Sequence, residues 1–191
     1  MKNERFGLYA SLIAAVSTAL FAVSMLIPHR EVSQISSYVT SMCISMGYLG
    51  LACAFAAITP PDKKACAYAG MLTATLYAVY INLVYYTQLT TVRQGSAAED
   101  ILAFMTYRPG SWIFNFDLFG YGMLSISTVL IGLSLEVSTQ SEKWLRRLLL
   151  IHGVFAVSSI LIPVLNLFPS GEGGGAGDRI GMIALVCWCV Y

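Results

Sequence analysis

Trp112–Leu135 reads WIFNFDLFGYGMLSISTVLIGLSL. As a helix it is about 36 Å long, enough to cross a hydrocarbon core of about 30 Å. It carries one carboxylate, Asp117, the only formal charge well inside an apolar run of this chain. A charge within a span costs about 2.5–3.5 kcal/mol at the bilayer centre and less near an interface. Asp117 lies five residues after Trp112, so roughly 8 Å below that end of the span. Its own helical face includes Phe114, Gly120, Tyr121, Leu124 and Thr128, and the small and polar members turn that face towards other helices.

The rest of the chain has the same character. Hydrophobic residues make up 57% and charged residues 11%, against about 25% charged in soluble domains. The apolar residues come in long runs, so the fold class is all-α: a single polytopic transmembrane helix bundle over 1–191. Runs at Gly7–Ile27, Ser36–Ile58, Ala65–Leu89, Trp112–Leu135 and Leu148–Phe168 read as spans. The first is too long for a signal-peptide core, which is about 7–15 residues. A sixth run, Ile180–Tyr191, is a half-span or a span cut short, since it reaches only about 18 Å as a helix. The total is then about six spans.

The connections carry their own signals. Thr59-Pro60-Pro61-Asp62 ends the second span in a tight turn, because proline cannot continue a helix. Ser96-Ala97-Ala98-Glu99 has the spacing of a capping box. It predicts a short surface helix near 97–107, either covering the bundle or serving as a lid. Pro163 predicts a kink near the far end of the fifth span. The Gly-rich stretch Ser170–Gly177 reads as a linker, without the Lys-Ser/Thr ending of a phosphate loop.

Lys and Arg set the orientation. With the N-terminus cytoplasmic, Lys2, Arg5, Lys63, Lys64, Lys143, Arg146 and Arg147 are inside, and Arg30, Arg93, Arg108 and Arg179 are outside. The short surface helix is then external, and the expected location is the cell membrane, crossed several times. A net charge of +1 and no basic stripe give no case for nucleic acid. The five cysteines fall in or beside apolar runs and read as buried small residues. His29 and His152 fall at opposite membrane faces and read as loop or interface residues. No motif implies a metal or a cofactor.

The candidate site gathers around Asp117. Asn82 lies at nearly the same depth on a span running the other way, and is expected to donate to Asp117. Tyr121, Tyr85 and Tyr86 supply an aromatic wall, and Asn166 reaches the same layer from the fifth span. The competing structural reading pairs Asp117 with Arg108 or Arg93, or makes it a helix N-terminal acid favoured by the dipole.

Asp117–Leu165 contains DLFGYGMLSISTVLIGLSLE and KWLRRLLLIHGVFAVSSILIP. An Asp followed by Gly-Tyr, a small-residue span and a basic, Trp-containing start to the next helix resemble a group of uncharacterised multi-span prokaryotic membrane proteins. The resemblance implies a bacterial or archaeal membrane and no activity or site residue. The favoured function is a small binding or transport module with an outer-leaflet polar pocket for a small molecule or lipid. A structural or regulatory partner of another membrane protein is the alternative. An intramembrane lipid-modifying enzyme ranks last, because no second carboxylate accompanies Asp117.

Overall fold

The computed structural model describes residues 3–165. Among them are seven α-helices and no strand: α1 (Asn3–Ser24), α2 (Arg30–Ile58), α3 (Lys64–Thr87), α4 (Glu99–Met105), α5 (Trp112–Ser134), α6 (Gln140–Ile151) and α7 (Val154–Val164). Five stretches are long and apolar enough to cross a membrane: α1, α2, α3 with its flanking turns, α5, and α6 with α7. The sixth apolar run and Asn166 lie outside the described residues.

The helices pack largely in chain order: α1 on α2, α2 on α3, α3 on α5, and α5 on α6 and α7. Large apolar side chains cover the outside, with Leu8, Leu12 and Val16 of α1 all about half exposed. Such an exterior suits lipid, and small residues make up much of the buried layer, as close helix packing in membranes favours. Ala52, Ala67 and Ala74 are fully buried. At Gly47 the α1 and α2 backbones nearly touch: an added Cβ would lie 2.7 Å from the Ala14 nitrogen and 3.1 Å from the Ala10 carbonyl oxygen.

Polar contacts then fix the register. The Tyr48 hydroxyl donates to Ser127 Oγ at 2.9 Å, and Ser127 donates to the Gly70 carbonyl at 2.6 Å. That relay joins α2, α5 and α3 at one point. Two ion pairs close opposite ends: Arg93–Glu31 at 3.5 Å beside α4, and Lys63–Glu136 at 3.9 Å at the far end.

Several local expectations change. The capping box at Ser96–Glu99 does not form; α4 starts one residue after Ala98, with no side-chain cap. Glu99 and Asp100 occupy its first turn, where the helix dipole favours acids. Among the described residues a capping box forms instead at α6, where Thr139 Oγ1 accepts from the Glu142 amide at 3.2 Å and Glu142 accepts from the Thr139 amide at 2.8 Å. The fifth span breaks at His152-Gly153, well before Pro163. There the Phe155 and Ala156 amides bond three residues back, to His152 and Gly153, and Gly153 packs against Val129. The break turns His152 inward: it is buried, with Nδ1 3.1 Å from Thr128 Oγ1, rather than at an interface. Cys43 is exposed and Cys53 and Cys66 are half-buried, all three free; Cys187 and Cys189 lie outside the described residues.

Because the atoms facing Gly47 are backbone and cannot turn aside, Gly47→Ala should destabilise the α1–α2 pair by about 1–3 kcal/mol. Gly50→Ala, which faces the Ala10 methyl at 3.0 Å, should cost less. Thermal unfolding of both variants in mild detergent checks the order.

Candidate functional site

Asp117 is 2% exposed, on the face of α5 that meets α3. Ser111 caps α5, accepting from the Phe114 amide at 3.2 Å, which fixes the start of the helix and the direction of Asp117. Opposite it, Tyr77, Ile81, Val84 and Tyr85 of α3 are buried in one cluster with Ile113 and Leu124.

The carboxylate has two unlike oxygens. Oδ2 accepts from the Tyr107 hydroxyl at 2.7 Å and from the Tyr85 hydroxyl at 3.2 Å. Oδ1 is buried and has no hydrogen-bond partner among the described residues. Hydrogen bonds to a charged group are worth about 1.5–3 kcal/mol each, so two of them offset the cost of placing this charge in a span. Burial, and then the adjacent Asp117, hold the Tyr107 hydroxyl well above the ordinary phenol range. It therefore stays protonated and donates.

Aromatic rings surround this pair. Tyr38 of α2 stacks on Tyr85 at 5.1 Å and lies 6.2 Å from Tyr107. Tyr107 also packs edge-on to Phe114 at 5.5 Å. Deeper in the bundle, Tyr121 lies 5.8 Å from Tyr77, itself fully buried, with no hydrogen-bond partner for its hydroxyl among the described residues.

The backbone that carries Tyr107 is held by one side chain. Gln88, 5% exposed, stands at the start of a π-helical turn, Gln88–Val92, that extends α3. Its Oε1 accepts from the Tyr107 amide at 2.9 Å, and its Nε2 donates to the Met105 carbonyl at 2.7 Å. The loop is thereby pinned to the end of α3, and Tyr107 is aimed at Asp117.

Of the residues singled out in the sequence, Asp117, Tyr85 and Tyr121 come together here. Asn82 does not reach Asp117: its amide donates to Ser45 Oγ at 2.8 Å and to the Ala78 carbonyl at 2.7 Å. Ile81 and Tyr85 take the face of α3 turned to α5, and Asn82 is rotated off it towards α2. Tyr86 is 61% exposed and points away from the cluster. The arginine pairing of Asp117 is also absent among the described residues, since Arg93 binds Glu31 and Arg108 donates to the Ala103 carbonyl at 3.3 Å. Sequence reading missed Tyr107, Tyr38 and Gln88. Tyr107 sits in a polar loop ten residues before Asp117, where only its place beside Arg108-Pro109-Gly110 hints at a fixed turn.

No group of three or more His, Cys, Asp or Glu residues stands close enough to hold a metal among the described residues. Comparison with family models, with curated proteins and with solved structures finds no match for this chain.

The two donors to Oδ2 are unequal, and this predicts an order. Tyr107→Phe should cost about 1–3 kcal/mol, Tyr85→Phe less, and Tyr86→Phe nothing measurable. Denaturation of the three variants in mild detergent, followed by helical circular dichroism, gives the comparison.

Proposed function

We propose that the protein is a small multi-pass membrane module that binds, or carries across the cell membrane, a cationic group such as an amine or a cationic lipid headgroup, with Asp117 as the binding residue. The observation that carries this reading is Oδ1, which has no hydrogen-bond partner among the described residues. A buried carboxylate oxygen costs free energy unless something partners it, and the same carboxylate already binds two phenols through Oδ2. A cation is the complement that an acceptor-only group in an apolar surround attracts most strongly. Neither ion pair among the described residues includes Asp117.

Orientation belongs to the same proposal. Arg30, Arg93 and Arg108 gather at the α4 end, whereas Lys63, Lys64 and the Lys143–Arg147 segment lie at the other. The Lys bias favours a cytoplasmic N-terminus, so the Asp117 site lies nearer the outer face.

Native mass spectrometry of the protein in mild detergent, wild type beside Asp117→Asn, tests the reading. A bound cationic species should accompany the wild type and fall about tenfold or more in Asp117→Asn, the loss of one charge-assisted bond, while both proteins stay folded. The same species on both, or bulk lipid alone, would make Asp117 a structural residue and turn attention to a protein partner.

A further inference from the structure

Resting on that reading of Asp117, we propose that residues 96–109 are a lid over the site, with Tyr107 as its plug and Gln88 as its latch.

Three independent features meet in this segment. The first is the plug. Tyr107 closes the approach to Asp117 from the α4 end: its hydroxyl holds Oδ2 and its ring packs on Tyr38, Tyr85 and Phe114. The second is the attachment. No residue of α4 is buried. Phe104 stacks on the exposed Trp112 at 5.0 Å, and Ile101 is 46% exposed. At the pivots the Ser96 amide bonds the Thr91 carbonyl and the Arg108 amide bonds Ser111 Oγ at 3.4 Å; between them, among the described residues, the segment's backbone is tied to the bundle by the two-point clasp of the Gln88 carboxamide on Met105 and Tyr107. The third is the pair of pivots. Gly95 and Gly110 bracket the segment at φ +61° and +76°, a region that side-chain-bearing residues rarely adopt. A Cβ added at Gly95 would meet nothing within 4 Å, so that pivot turns in open space.

Between the pivots the segment holds itself together. The Leu102 amide bonds the Ala98 carbonyl, Thr106 bonds the Leu102 carbonyl through both its amide and its hydroxyl, and the Arg108 guanidinium bonds the Ala103 carbonyl. It therefore moves as one body. Release of the Gln88 clasp lets it swing about Gly95 and Gly110, which withdraws Tyr107 and opens the carboxylate to water. Reclosing returns the phenol to Oδ2 and shuts the ligand in. A π-turn at the base of such a segment is a common mark of a functional position in a helix.

Two measurements on the full chain in mild detergent test this without any ligand. Hydrogen exchange should speed up by about tenfold or more across 99–107 in Gln88→Ala, with α3 and α5 unchanged. Gln88→Glu keeps the acceptor for the Tyr107 amide but loses the donor to Met105, and should fall between. Ser41 is 1% exposed, its hydroxyl without a hydrogen-bond partner among the described residues, one helical turn from Tyr38. Ser41→Cys, with the five native cysteines replaced by serine, reports access beneath the rings. Its labelling by a water-soluble thiol reagent should rise in Gln88→Ala in parallel with exchange. Unchanged exchange at 99–107 overturns the latch. Faster exchange with unchanged Ser41→Cys labelling makes α4 a mere surface cover. An equal rise in α3 and α5 reduces Gln88 to a general stabiliser. Each of these outcomes is independent of whether Asp117→Asn loses a bound cation.

Discussion

A carboxylate inside an apolar helix must be solvated by protein, and that requirement at Asp117 governs the end of the bundle where α4 lies. Phenols supply the donors: Tyr85 from the facing helix and Tyr107 from the loop. The loop must therefore come back over the helix ends, which in turn needs an anchor for its backbone. Gln88 is that anchor. One buried charge thus accounts for the placement of a tyrosine, a glutamine and the path of a whole connection.

The bundle allows this because its helices approach closely. Lipid gives no hydrophobic drive to helix association, so van der Waals contact and interhelical hydrogen bonds carry it. Gly47 lets α1 reach α2, and Gly120 sits against Tyr80 and Ile81 where α5 reaches α3. At such spacing short hydroxyl side chains span the gap, as in the Tyr48–Ser127–Gly70 relay and the Asn82–Ser45 bond. The same close packing orders the tyrosines so that Tyr38, Tyr85 and Tyr107 surround one carboxylate.

The spans were legible because hydropathy and length are local properties, and five of them stand where the apolar runs lie. Asp117 was legible because a lone charge in such a run is conspicuous, Tyr85 because it lies near its depth on the facing span, and Tyr121 because it follows one turn on along the same helical face. Depth alone misassigned Asn82, since rotation about the helix axis decides which neighbour a side chain meets, and Asn82 faces α2. Tyr107 was hidden for a different reason. A loop residue has no periodicity to reveal its direction, and its position depends on a hydrogen bond that its amide donates to Gln88, nineteen residues earlier. The break at His152-Gly153 was likewise masked by the more obvious Pro163, which lies in the last turn of α7.

The central claim is that Asp117 and Tyr107 are energetically coupled through one hydrogen bond. A double-mutant cycle of Asp117→Leu and Tyr107→Phe, read by unfolding in mild detergent, measures that coupling directly. The structure predicts an interaction of about 1–3 kcal/mol, with the double variant less destabilised than the sum of the singles. Additive effects would show that the phenol and the carboxylate do not depend on one another, and would contradict the account.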